Sequence, residues 1–289
     1  MKKLITCSLS LFTCFSLAET RIQTIQTVAP KKGLTRILID PGHGGHEWGA
    51  GGFNALQEKE LSLKVAFMLK RQLERTAKIR DLPIEARLTR TDDVYLSLKD
   101  RVQQAAQWKA DVFLSLHANA APSQKLSGFE VYFQSPEATD DHSTRVANVE
   151  NQRIGNKKNE AQVLSILKEA QASWQIEKSS EFATAVYSSM SKQLRPNVRG
   201  VRQAPFTVLS GVEMPALLIE MGYVTSPSEA TLLSKSAYLK RVASAISSGV
   251  FDFLSVYKQR GFSDLANREL KPGTPANVLR SVRNEGYRR

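Results

Sequence analysis

Cysteine is nearly absent: the 289 residues hold two, Cys7 and Cys14, both inside the first twenty positions. Those positions, MKKLITCSLSLFTCFSLAET, place two lysines before an apolar run and close on Ser16-Leu17-Ala18, a small-x-small pattern. The pattern predicts a secretory signal peptide over residues 1–18, too short for a membrane span, with Glu19 as the first mature residue. A lipoprotein signal ending at Cys14 fits less well, because Phe12 and Thr13 are bulky for such a site. Once the signal leaves, no thiol remains. A chain exported to the periplasm or cell envelope without disulfides must hold itself by its core, or by a metal bound through nitrogen and oxygen.

Other absences narrow the class further. There is no internal repeat, no low-complexity tract and no nucleic-acid motif, and the 40 Lys and Arg are interleaved with 28 Asp and Glu. No nucleic-acid partner is expected from that distribution. The formal charge of +12 falls to +10 when Lys2 and Lys3 leave with the signal, which points to anionic wall polymers or lipid headgroups. The mature chain is expected to carry no transmembrane segment. Histidine is scarce too, with four in the chain.

What is present reads as a single α/β domain. Short β-rich runs alternate with helical stretches: TRILID (35–40), IEARLT (84–89), DVFLSL (111–116), GFEVYF (128–133), FTVL (206–209) and ALLIEM (216–221). The alternation predicts one twisted, mostly parallel sheet of about six strands flanked by helices, spanning residues 35–260. Between the first two runs, Leu61, Val65, Met68, Leu69 and Leu73 fall on one helical face. Residues 19–34 read as a flexible tether and 261–289 as a basic flexible tail. Residues 138–173 interrupt the rhythm with polar, helix-compatible sequence that the core does not need, an inserted helical segment on the surface.

Acids and imidazoles then sort by position. His43 follows the first strand inside DPGHGG, Glu58 opens the next helix, His117 ends DVFLSL, and Glu220 falls at the end of ALLIE. In an open parallel sheet the carboxyl ends of the strands share one rim, where ligands bind. Two imidazoles and one carboxylate are the ligand set of hydrolytic zinc, with a fourth position for water and a further carboxylate to take its proton. The expected metal ligands are His43, Glu58 and His117, with one Zn2+, and the expected catalytic base is Glu220. Each alone has a structural explanation, such as a loop histidine or a carboxylate meeting a helix dipole. His46 and His142 stand away from strand ends and read as supporting or surface residues, and Asn119 as a substrate-positioning group or a turn former. The sequence of ligand types alone does not separate zinc from another divalent ion.

In order, LIDPGHGG (38–45), WGAGG (48–52), EKELSL (58–63), LTRTDD (88–93), LKDRVQQA (98–105), ADVFLSLHANA (110–120), GFEVYF (128–133) and PALLIEMGYVTSP (215–227) resemble the zinc-dependent N-acetylmuramoyl-L-alanine amidases. The likeness runs from Arg36 to Val256, with mild departures at Glu60 and Tyr223. It implies zinc ligands at His43, Glu58 and His117 and a catalytic Glu220. The implied reaction is hydrolysis of the amide between N-acetylmuramic acid and L-alanine of the peptidoglycan stem peptide, in wall remodelling and daughter-cell separation. TRVANVENQRIGN (144–156) resembles the helical segment that, in division-type members, covers the metal until a partner displaces it. The resemblance implies an autoinhibitory acid, for which Glu150 is the candidate and Glu160 or Glu169 the alternatives, together with an activator protein that moves the helix. A zinc peptidase cutting inside the stem peptide and a non-catalytic wall-binding module are the competing functions. Ser165-Ile166-Leu167-Lys168 fits an SxxK pattern, as does Ser255-Val256-Tyr257-Lys258, but no KTG or SxN companion accompanies either, so chance explains both.

Overall fold

The computed structural model describes residues 33–151, 165–194 and 199–259. The signal peptide, all but the end of the tether, the basic tail and residues 152–164, Glu160 among them, lie outside the described residues, as does the side chain of Glu169.

Strand β1 (Thr35–Pro41) carries three apolar residues in a row, Ile37, Leu38 and Ile39, and all are buried. A continuous apolar run is what a strand covered on both faces requires. Ile37 and Ile39 join the core on one side of the sheet, and Leu38 joins the core on the other. The chain continues through helix α1 (Glu58–Ile79), β2 (Ile84–Leu88), α2 (Leu98–Trp108), β3 (Val112–Asn119) and β4 (Glu130–Gln134). It then forms α3 (Asp141–Asn151), α4 (Ser165–Leu194), β5 (Val201–Ala204), α5 (Thr207–Ser210), β6 (Ala216–Tyr223), α6 (Pro227–Leu233) and α7 (Ser236–Gln259). Residues of α1, α4 and α7 build one core layer, and residues of α2, α3 and α5 contribute to the other. On α1 the expected stripe is buried at Leu61, Val65, Leu69 and Leu73, with Met68 packed at its edge. Residues 165–173 of the insertion form the first part of α4 and run on without a break into its remainder.

The six strands form one sheet in the order β2-β1-β3-β6-β4-β5. Every pairing is parallel except β4 with β6. One strand expectation fails. FTVL is not a strand: Phe206 precedes the single helical turn of α5, and the sheet's edge is Val201–Ala204 instead. A four-residue apolar run does not discriminate helix from strand. The edge strand, VRQA, leaves three of its four residues only partly buried, so it has no apolar signature to read. Among the described residues, no helix is long and apolar enough to cross a membrane.

Candidate metal centre

The turn after β1 has to deliver an imidazole to the sheet's rim, and its backbone is strained in doing so. His43 adopts φ +59°, a region disfavoured for any residue with a Cβ. Two buried guanidinium groups hold it there. Arg101 donates to the Pro41 carbonyl at 2.7 Å and to the His43 carbonyl at 2.8 Å, while Arg90 donates to Pro41 at 3.0 Å and Gly42 at 2.8 Å. Arg101 also pairs with Asp40 at 2.7 Å, and both side chains are almost wholly buried. Burial alone would raise the Asp40 carboxyl, but the Arg101 charge and hydrogen bonds from Thr89 and Ser115 bring it below its usual value. The glycines of DPGHGG give the turn its shape, and the arginines give it rigidity.

Four side chains converge beside this turn. Glu58, in the first turn of α1, places Oε1 3.0 Å from His43 Nε2 and 2.9 Å from His117 Nδ1. Its two oxygens also accept from the backbone, Oε2 from Ala50 N at 2.7 Å and Oε1 from Ala118 N at 3.0 Å. Glu150 arrives from the last turn of α3, with Oε2 3.1 Å from His117 Nδ1 and 3.5 Å from His43 Nε2. One ligand atom from each of the four lies within 4.8 Å of the other three.

The surroundings fit a divalent cation. Two carboxylates and two imidazoles are hard and borderline donors, the set that suits zinc and its neighbours. Burial disfavours charge on His43 and His117, yet carboxylates more than reverse this: Glu58 and Glu47 raise His43, and Glu150 and Glu58 raise His117 strongly. Burial pushes Glu58 up, but the two imidazoles drive it well below its usual value. The cluster thus draws positive charge, which protons or a metal supply in competition. Space has been cleared for it as well: a Cβ on Gly42 would lie 2.4 Å from the His117 ring, and one on Gly49 2.5 Å from Glu58 Oε2.

The His117 tautomer follows from hydrogen-bond direction. Ser115 Oγ donates its single proton to Asp40 Oδ2 at 2.7 Å, so it accepts from His117 Nε2 at 3.2 Å. With Nε2 protonated, Nδ1 is the nitrogen turned to Glu58 and Glu150.

Glu220 stands apart from these four. Its register partner on β3 is His117, and on β4 it is Glu130. The side chain is 1% exposed, and among the described residues its Oε2 has no hydrogen-bond partner. Burial raises its carboxyl well above the usual range; His117 opposes this in part, and Glu150, Glu58 and Glu130 add to it.

Sequence reasoning missed Glu130, which is a hub. It accepts from Arg199 Nε at 2.6 Å, Tyr132 Oη at 2.9 Å and Asn119 Nδ2 at 3.3 Å, and meets His142 Nε2 at 3.0 Å. Asn119 and His142 are therefore ordered through Glu130, and His142 also lies 3.1 Å from Tyr223 Oη. His46 instead packs its ring on Tyr95, 4.3 Å between centroids. Two cavities flank the cluster, one of about 450 Å³ bordered by His43, Glu47, Tyr95 and His117, the other of about 500 Å³ bordered by Glu58, Asn119, His142 and Val149. Glu150 borders both.

Comparison with known proteins gives a consistent result. A family profile described as N-acetylmuramoyl-L-alanine amidase matches residues 37–252. The chain is 30% identical over 223 residues to the N-acetylmuramoyl-L-alanine amidase AmiA of Salmonella typhimurium, covering 75% of each. It is 30% identical over 232 residues to AmiA of Escherichia coli, covering 78% of each. Among solved structures, the N-acetylmuramoyl-L-alanine amidase of Clostridium difficile superposes with a TM-score of 0.59 at 29% identity, over 77% of this chain and 98% of that one.

Proposed function

The chain belongs to the N-acetylmuramoyl-L-alanine amidase family, and on that premise we propose that it hydrolyses the amide between N-acetylmuramic acid and L-alanine of the stem peptide in peptidoglycan. The reading places it in the cell envelope, in wall remodelling and daughter-cell separation. The observation that carries it is the convergence of His43, Glu58 and His117, held by an arginine-clamped turn, a helix start and a strand in one buried cluster. In this reading these three residues hold one zinc ion. When bound, zinc would supply Lewis acidity to the scissile carbonyl and acidify the hydrolytic water to a pKa of about 7.

The remaining work falls to the chain's own groups. Glu220, buried and with one oxygen free of hydrogen bonds among the described residues, takes a proton from the hydrolytic water and delivers it to the departing L-alanine amine. Arg90 and Arg101 keep His43 in register, and the Ser115–Asp40 pair keeps His117 in the tautomer that offers Nδ1.

Digestion of purified peptidoglycan by the zinc-loaded protein, followed by mass spectrometry, tests the reaction. Glycan with free lactyl groups and intact stem peptides beginning at L-alanine is the expected product. Fragments cut within the stem would identify a peptidase. Binding to the wall without any release, in a protein that takes up no zinc, would identify a wall-binding module.

Glu150 carries the regulatory part of the proposal. Its carboxylate takes the place beside His43 and His117 that water or substrate needs, so the chain inhibits itself until a partner protein draws the helix aside. A closed form of this kind leaves an open population of about 0.1–10%. Glu150→Ala is therefore expected to raise hydrolysis about tenfold or more without a partner, read by release of dye from labelled peptidoglycan. This substitution is cleaner than excising residues 138–173, because Val146 and Ala147 of the same segment are buried in the core.

A further inference from the structure

The helix that bears Glu150 is fastened very differently at its two ends. At the root, Asp140 accepts from the Ser143 amide and hydroxyl, each at 2.8 Å, and its other oxygen pairs with Arg202. His142 is tied to Glu130 and Tyr223, Ser143 is fully buried, and Val146 and Ala147 are 7% and 1% exposed. Those residues belong to the same core layer as Tyr132 and Phe206, so the first two turns of α3 are as much a part of the fold as a core strand.

The last turn lacks that apolar anchorage: Val149 is 54% exposed. Besides the contacts of Glu150 with His43 and His117, it is tied down by the side-chain amide of Asn151. Nδ2 donates to the Pro205 carbonyl at 2.7 Å, and Oδ1 accepts from the Thr207 amide at 2.8 Å. An amide side chain can satisfy one carbonyl and one N–H at once, and here both belong to the segment that leads into α5. Asn151 is the neighbour of Glu150 in sequence, so the bond that fixes one positions the other.

We infer that Asn151 is the latch of the cover: α3 stays rooted through residues 140–147, and the site opens when Asn151 leaves Pro205 and Thr207 and the last turn swings out with Glu150. This rests on the reading of Glu150 as inhibitory and refines it, since what yields is one turn rather than a whole helix. Losing two neutral hydrogen bonds shifts the opening equilibrium roughly 5- to 150-fold.

Two variants of the full chain, zinc-loaded, test it from opposite sides. Asn151→Ala removes both bonds. Thr207→Pro removes the amide donor alone, at the first position of a helical turn where proline is tolerated and after Phe206, whose φ −76° and ψ 122° suit a residue before proline. Partner-free hydrolysis is expected to rise about 5- to 150-fold for Asn151→Ala and by a smaller factor for Thr207→Pro. Amide hydrogen exchange should quicken at residues 149–151 while 143–147 remain protected. Unchanged hydrolysis in both variants, alongside a rise for Glu150→Ala, overturns the latch and leaves the inhibitory role of Glu150 standing. No rise in any of the three overturns that role and the latch with it. Faster exchange through 143–147 as well would show the whole helix departing, against a rooted one.

Discussion

Glu220→Gln retains the fold and the bound zinc and loses about 10²- to 10⁴-fold in hydrolysis, the range expected when a positioned proton-transfer group is removed. Gln matches Glu in volume, and at 1% exposure volume is what the packing around position 220 senses. The metal set should not change either, because His43, Glu58, His117 and Glu150 make their close approaches without this side chain. What changes is proton affinity: an amide does not take a proton from water at neutral pH. The paired measurement is metal content by atomic emission and product release from labelled peptidoglycan, made in the Glu150→Ala background so that the basal rate is measurable. Lysis retained within a few-fold, with zinc intact, would remove Glu220 from the mechanism.

The second large effect is on stability. Arg101→Ala is expected to destabilise the protein by about 3–5 kcal/mol, the cost of leaving a buried charge without its partner. Asp40, fully buried, would keep only the hydroxyls of Thr89 and Ser115, and the carbonyls of Pro41 and His43 would each lose a charged donor. Urea unfolding checks the magnitude, and zinc affinity should fall with it, because the turn that presents His43 loosens. The pH dependence has a definite sign. Asp40's folded carboxyl lies below the unfolded 3.8, so the stability it contributes is complete above about pH 4 and disappears as pH falls through the folded value. A loss for Arg101→Ala below 1 kcal/mol at pH 7 would show that the pair is not what holds the turn.

The residues on the rim were legible where chemistry and sheet geometry coincide. His43, Glu58, His117 and Glu220 each sit at a strand end or helix start, and the rule that carboxyl ends of parallel strands share an edge brings them together without any coordinates. Glu150 needed more than that rule, since nothing in the local pattern distinguishes it from other helix acids; similarity of RVANVEN to a covering segment singled it out. Glu130 escaped because the rule assumes one strand direction. β4 runs antiparallel to β6, so it is the beginning of β4 that reaches the rim, and Glu130 lies opposite Glu220. Arg199 enters by the same reversal, since β5 is parallel to β4. Arg90 and Arg101 escaped for another reason: arginine is mostly exposed, and it takes the turn's carbonyls, with Asp40 as partner for Arg101, to explain why these two are 3% and 2% exposed. The edge strand was hidden by its polarity, and the helical turn of α5 by an apolar run too short to show a period.

The chain of contacts from Arg101 through Asp40 and Ser115 to His117 also bears on how selectively and how fast an ion is taken up. An imidazole free to rotate surrenders rotameric entropy on capture, about 0.5–1.5 kcal/mol for a typical ordered side chain. Here the ring's orientation is already set from behind by Ser115, and its approach from the front is bounded by Gly42. That entropy has been surrendered during folding. Loading is then governed by desolvation and by expulsion of protons from the imidazoles, so acidity of the medium, more than mobility of the site, sets how readily the centre fills.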